Sequence, residues 1–248
     1  MLADQRHAQI LGIVNGEGSA TVVDLAARLG ISESTVRRDL EKLDDSGCLS
    51  KVHGGAVSLD REGVTRDVPV AERATKHSAE KRAIARHAAR LVGPRDFVYL
   101  AAGSTVDARI DALSEKRAVY ATDCVSHALK LASRGFEVIV LGGSLKSATE
   151  ALVGPDANAA ISRYHFTLGF WGTNGATPED GFTTPDFAEA EVKRLSMAQT
   201  IHRFVLADAS KLGRTSLVTF GDFRSATIVT TALPEGSAFA TLENVEVV

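Results

Sequence analysis

Apolar residues in the first sixty positions recur every three or four places, the spacing of short amphipathic helices. Ala8, Ile10, Leu11 and Val14 predict a helix over 4–14, and Asn15-Gly16-Glu17-Gly18 supplies turn chemistry to end it. Thr21 then serves as an N-cap with Asp24 three places on. Val22, Leu25, Ala26 and Leu29 follow at helical offsets up to a stop at Gly30. Ser32 is the next N-cap, and Val36, Leu40 and Leu43 form a stripe that Asp44-Asp45-Ser46-Gly47 closes. Two short capped helices separated by a tight turn are the helix-turn-helix pattern. Leu49–Val52 and Ala56–Leu59, strand-like runs around His53-Gly54-Gly55, predict a β-hairpin beside it.

The pattern changes beyond residue 57. Residues 58–75, with Asp60-Arg-Glu-Gly63 and Pro69, have no clear periodicity and read as a linker. A helix is predicted from Thr75 to Val92, with Ala79, Ala83, Ile84, Ala88 and Leu91 inward and Lys76, Lys81, Arg82, Arg86 and Arg90 on a solvated face. Short β-rich runs follow at 97–101, 118–121, 138–141, 165–170, 203–207 and 226–229. Helical stretches lie among them at 105–113, 125–132, 156–163 and 186–200. Such alternation predicts an α/β domain with a mainly parallel sheet. The expected division is 1–57, a 58–75 linker and 76–248.

Composition fits two domains: 248 residues with 44% hydrophobic content can bury a sizeable core. The longest purely apolar run is Phe97–Ala102, and Met1-Leu-Ala-Asp-Gln-Arg6 lacks the marks of a signal peptide. A cytoplasmic protein with no membrane partner is expected. Cys48 and Cys124 form no Cys-x-x-Cys pair, and His87, His127 and His202 lack ligand spacing, so neither a metal nor another cofactor is expected. The net charge of -3 conceals an uneven distribution. Residues 1–57 carry six Lys/Arg against eight Asp/Glu, whereas 58–95 carry nine against five. DNA binding by the first segment would therefore need a local patch.

The third helix offers such a patch. On a helical wheel Ser34, Thr35, Arg37, Arg38 and Lys42 fall opposite or beside the Val36–Leu40–Leu43 stripe. Hydroxyls and amides at its N-terminus, starting from Ser32, can bond phosphate, while an Arg can fork onto guanine. Lys51 and His53 on the hairpin can add backbone contacts. A three-helix bundle with a solvated face and a covering hairpin is the plainer alternative.

In open α/β sheets ligands sit outside the carboxyl ends of the strands. Ala101-Ala102-Gly103-Ser104-Thr105 follows the first strand and opens a helix, a placement that suits a phosphate or carboxylate. Gly142-Gly143-Ser144, Gly172-Thr173-Asn174-Gly175 and Asp208-Ala209-Ser210-Lys211 follow later strands, with Lys211 able to neutralise an anion. Each alone could be a simple turn. Asp180, Asp186, Glu189 and Lys193 could touch ligand hydroxyls or form a solvated helix face.

The run Thr35-Val-Arg-Arg-Asp-Leu40 with Lys51-Val-His-Gly-Gly-Ala56 resembles the N-terminal signature of the DeoR family of bacterial transcriptional regulators. The resemblance continues in order through Glu80–Ile84, Gly103–Thr105, Leu141–Gly143, Gly154-Pro155, Gly172–Gly175, Gly181–Thr184, Glu191–Arg194 and Asp208–Lys211. It implies a winged helix-turn-helix domain joined to a ribose-5-phosphate-isomerase-like α/β domain that senses a phosphorylated sugar. It further implies operator contacts from Ser34, Thr35, Arg37 and Arg38, and a phosphate held by Gly103, Ser104, Thr105 and Lys211. Ala101, Asp123 and Leu212 stand where the family often has Asp, Asn and an aromatic residue. Asp123 would place a negative charge near the strand ends.

The function expected is a ligand-gated repressor of a carbohydrate-metabolism operon. It would bind double-stranded operator DNA as a dimer or tetramer and leave it when a phosphorylated sugar occupies the second domain. An activator would use the same parts. The alternative class is a sugar-phosphate isomerase with Asp180 or Glu189 as base; the separate Arg-bearing domain argues against it.

Overall fold

The computed structural model describes residues 3–17, 19–46, 48–52, 54–58, 68–233 and 236–248. The chain forms two compact units, residues 1–65 and 66–248.

In the first unit, α1 (Ala3–Glu17), α2 (Val22–Leu29) and α3 (Glu33–Asp45) enclose Ile10, Val14, Leu25, Val36 and Leu40. The α2 and α3 starts follow the caps read from sequence: Thr21 and Ser32 accept from the amides of Asp24 and Thr35. Gly30, left-handed at φ +63°, ends α2. Asn15-Gly16 does not end α1, which runs on to Glu17. Gly in a helix interior costs only about 1 kcal/mol. Asn15 is meanwhile engaged, accepting from the Ser58 hydroxyl at 2.8 Å.

The hairpin strands β2 (Ser50–Val52) and β3 (Gly55–Val57) gain a third partner, β1 (Ser19–Thr21), in the antiparallel order β1-β3-β2. Three residues are too few for a period-two signal. β1 passes so close to Gly55 that a Cβ there would lie 2.3 Å from the Ala20 carbonyl oxygen.

The second unit opens with α4 (Val70–Thr75) and α5 (Ser78–Ala89). The helix expected over 75–92 is thus shorter, at 78–89, and a separate helix occupies 70–75, so part of the expected linker is helical. His77, left-handed at φ +54°, makes the corner.

Seven parallel strands follow: β4 (Phe97–Leu100), β5 (Val119–Thr122), β6 (Glu137–Val140), β9 (Phe166–Gly172), β12 (Thr200–Leu206), β14 (Thr227–Thr230) and β15 (Val245–Val247). Their order is β15-β14-β12-β9-β4-β5-β6, the last strand added being one the sequence pattern did not suggest. Side chains alternate between two cores. Val98 and Leu100 pack with Ile84, Val106, Ile110 and Leu131, whereas Tyr99 and Ala101 pack with Ala157, Ile161, Ala190 and Val192. Both faces are covered by helices, which is why the strands read as apolar runs. These helices include α6 (Ser104–Ala112), α7 (Val125–Ser133), α8 (Pro155–Ile161) and α9 (Phe187–Ala198).

Two small antiparallel additions flank the strand ends: the hairpin β7 (Ser144–Lys146) with β8 (Ala151–Val153), and β10 (Gly175–Thr177) with β11 (Gly181–Thr184) and β13 (Val218–Gly221). From β4 the chain proceeds outward through β5 and β6, then returns to β9 on the other side of β4. The β4/β9 boundary is therefore the topological switch point, where open parallel sheets form their ligand crevice.

Candidate functional site

On the first unit, α3 presents Ser34, Arg37, Arg38 and Lys42 to solvent, with Thr35 half-buried. The Ser32 cap hydroxyl lies 2.9 Å from both Ser34 Oγ and Thr35 Oγ1, so the helix start is a cluster of three hydroxyls. The Arg37 guanidinium donates to Glu33 at 2.7 Å, and Lys51 reaches Glu41 at 3.1 Å. Arg38 and Lys42 have no ion pair among the described residues. His53 lies outside the described residues. The opposite side of α3 holds a residue that sequence reading passed over. Asp39, 3% exposed, takes a forked pair of bonds from Arg6 at 2.5 and 3.0 Å and lies 3.1 Å from His7. The Arg6 bonds hold its carboxyl below the usual carboxylate range. This network sets the roll of α3 against α1, and thereby which side chains face outward.

On the second unit, the β4–α6 loop sits at the switch point, tied to β9 by the Ala101 amide on the Phe170 carbonyl at 3.0 Å. Gly103 begins the turn and Ser104 opens α6, so unpaired amides of a nine-residue helix point at the crevice. Facing Ser104 is Lys81, which the sequence reading put on a solvated surface. It is only 6% exposed and donates to Ser104 Oγ at 3.2 Å and to the Arg73 carbonyl. Burial pushes its pKa down to about 8, with Asp208 opposing and Lys211 and Arg73 reinforcing that shift. Lys211 follows Asp208, whose carboxylate caps the 209–211 turn by accepting from the Ser210 amide at 3.2 Å. Ser104, Lys81, Asp208 and Lys211 thus share one strand edge. The missed signal was periodic: Lys81 stands three, four and seven places before the buried Ile84, Ala85 and Ala88.

Beside this seat lies a second polar group. Asp123, 3% exposed, accepts from the Ala102 amide at 2.8 Å, and burial pushes its pKa up to about 6 against the pull of that amide and of Lys193. Lys193 is buried, donates to the Gly172 carbonyl at 3.0 Å and stands 5.0 Å from the Phe220 ring centroid. Glu189 is buried too, bonded by Thr149 at 2.5 Å and Lys146 at 3.1 Å. The solvated-face alternative for Glu189 and Lys193 is thereby corrected: both point inward, because α9 is covered by β8, β9 and β13. Asp186 caps α9 and pairs with Lys146 at 2.7 Å. Asn174 is buried, its side-chain oxygen accepting from Thr184 at 3.3 Å.

Other predicted residues go elsewhere. Asp180 is exposed at the tip of the β10–β11 hairpin, bonded by Thr215 at 2.6 Å, while Asn174 adjoins the opposite end of that hairpin. Gly143 and Gly175 serve packing: a Cβ would meet the Val153 carbonyl oxygen at 2.8 Å and the Arg214 carbonyl oxygen at 2.3 Å. Gly142 and Gly172 leave open space. Among the described residues, no group of His, Cys, Asp and Glu is arranged to hold a metal, and no helix is long and apolar enough to cross a membrane.

The first unit is thus a helix-turn-helix that exposes Arg37, Arg38 and Lys42 on α3, and the second is a parallel α/β unit with a buried lysine beside a helix N-terminus at its switch point. The sequence profile described as "DeoR-like helix-turn-helix domain" matches residues 6–62, and "DeoR C terminal sensor domain" matches 76–232. The chain belongs to the DeoR family of transcriptional regulators. It is 37% identical over 236 residues to the "Uncharacterized HTH-type transcriptional regulator FruR" of Bacillus subtilis, covering 95% of this chain and 93% of that one. It is 34% identical to the "HTH-type transcriptional regulator GlpR" of Haloferax volcanii over 89% of this chain and 86% of that protein. It is 30% identical to the "Lactose phosphotransferase system repressor" of Staphylococcus epidermidis over 91% and 90%. Among solved structures, it is similar to ribose 5-phosphate isomerase A of Methanocaldococcus jannaschii at TM-score 0.42 and 14% identity over 55% of each chain. The relatives matched over most of their length are named as regulators of transcription rather than as enzymes.

Proposed function

We propose that this regulator represses a carbohydrate-metabolism operon and is released from its operator by a phosphorylated sugar. The observation that carries the effector's chemistry is Lys81, an ammonium buried beside Ser104 at the N-terminus of α6, with Lys211 nearby. Amides, hydroxyls and two lysines at one strand edge suit a phosphate dianion. Asp123 and Asn174 supply acceptors that suit sugar hydroxyls. The sugar is supported by a relative's name, which describes a repressor of a lactose phosphotransferase system.

On DNA, Ser32, Ser34 and Thr35 contact phosphates while Arg38, flanked by Arg37 and Lys42, reads base edges from the major groove. Lys51 and His53 of the wing touch the backbone. Reading two half-sites requires two copies of α3, so the working state is a dimer or a tetramer, in the cytoplasm. Residues 1–57 form the reading domain and 76–248 the sensing and assembly domain, with α4, at the end of the expected 58–75 connection, belonging to the second unit. Effector preference for an assembly whose paired α3 helices misfit the operator weakens DNA binding roughly 5- to 150-fold.

The test is anisotropy of a labelled fragment from upstream of the protein's own gene, titrated with and without a panel of pentose and hexose phosphates. Tight binding that one phosphate weakens is expected; binding that no phosphate alters would overturn the effector assignment.

A further inference from the structure

Helix α4 is the first described element on the chain after residues 59–67, which lead from the DNA-binding unit. It is six residues long and contributes no buried side chain. Polar ties hold it: the Val70 amide donates to the Ala148 carbonyl at 3.0 Å, and the Lys81 ammonium donates to the Arg73 carbonyl. Its link to α5 passes through the left-handed His77. An element with no buried apolar anchor and a few polar ties lies at the low end of local stability.

Lys81 makes one of those ties while also touching the anion seat. Its other bond goes to Ser104 Oγ, the hydroxyl that opens α6. Beside it the Arg73 guanidinium has a buried Nε with no hydrogen-bond partner among the described residues. A phosphate dianion at the seat offers the Lys81 ammonium an acceptor of opposite full charge, which the neutral Arg73 carbonyl is not.

We infer that Lys81 is a latch between the effector seat and α4: an anion bound at Ser104 and Thr105 takes the ammonium away from the Arg73 carbonyl and loosens the helix leading to the DNA-binding unit. This rests on the reading of the β4–α6 loop as the phosphate seat. The ligand class is any phosphomonoester or inorganic phosphate small enough to reach the loop; the sugar serves affinity and selectivity, while the phosphate operates the latch.

Hydrogen exchange on the full chain separates the two claims, with inorganic phosphate up to 50 mM as the probe. The wild type should show slower exchange at Ser104 and Thr105 together with exchange at least about fivefold faster at Val70 and Arg73. In Lys81→Met those two α4 amides should exchange fast without phosphate and no longer respond to it. Lys81→Arg, which keeps the charge and guards against a folding artefact in the Met variant, should retain protection of the loop. Loop protection in the wild type with no change at Val70 and Arg73 would overturn the latch and leave the seat standing. Absence of loop protection would overturn the seat, and the latch with it.

Discussion

The guanidinium of Arg6 in α1 grips both carboxylate oxygens of Asp39 in α3, at 2.5 and 3.0 Å, from the side of α3 away from Arg38. The pair joins two helices that also meet through His7, 3.1 Å from Asp39, and through apolar side chains, and it fixes the roll of α3. Asp39→Ala should destabilise the DNA-binding unit by about 2 kcal/mol, since an Arg then loses its partner in a half-buried place. Because the Asp39 pKa is lowered on folding, its contribution is present above pH about 4 and lost as pH falls further. Urea unfolding of residues 1–65 at pH 7 and pH 3 checks both; an equal deficit at the two pH values would remove Asp39 from this role.

Arg38 and Arg37 should respond differently to truncation. Arg38→Ala should cost about 1–3 kcal/mol of operator binding and relax base preference while the fold persists. Arg37 is engaged with Glu33 before DNA arrives, so Arg37→Ala should lose less and mainly flatten the salt dependence. Anisotropy titrations at two salt concentrations distinguish them, and equal losses would contradict the assignment.

Asp123 carries a buried charge whose pKa rises on folding to about 6. An acid raised in this way favours the folded state when protonated, so stability declines as pH climbs from about 4 to 6 and then levels off. Asp123→Asn, which can still accept from the Ala102 amide, should gain about 2 kcal/mol at pH 7, a few degrees in Tm, and nothing at pH 4. Calorimetric scans at both values test this.

Lys81 titrates at about 8 in the free protein because it is buried, with Lys211 and Arg73 nearby and Asp208 and Glu80 opposing. Its ammonium costs the free fold stability below pH 8, and that cost fades between 8 and 10.5. Anion binding needs the ammonium, so phosphate affinity should fall about fivefold from pH 8 to 9, where a phosphomonoester is already dianionic. Calorimetric titration should show proton uptake at pH 8.5 in the wild type and none in Lys81→Met.

Gly55 should tolerate no side chain. A Cβ would lie 2.3 Å from the Ala20 oxygen, so Gly55→Ala must push β1 from β3. A loss above about 2 kcal/mol in the first unit is expected from urea unfolding; a neutral result would mean that β1 yields easily.

The sequence alone determined whatever depends on local chemistry: the caps at Thr21 and Ser32, the stop at Gly30, the exposed face of α3, and the apolar runs that became parallel strands. Periodicity and capping act over a few residues, so spacing exposes them. Tertiary structure alone decided which charges are buried. Asp39, Lys81 and Arg109 each stand in register with an apolar stripe, and a helical wheel cannot say whether such a charge finds a partner from a distant segment or turns to water. Arg6, 33 places from Asp39, Ser104, 23 places from Lys81, and the Phe170 ring 3.5 Å from the Arg109 guanidinium settled it. Strand order is equally nonlocal: the return of β9 to the flank of β4 creates the crevice, and pairing between segments some seventy residues apart leaves no period along the chain.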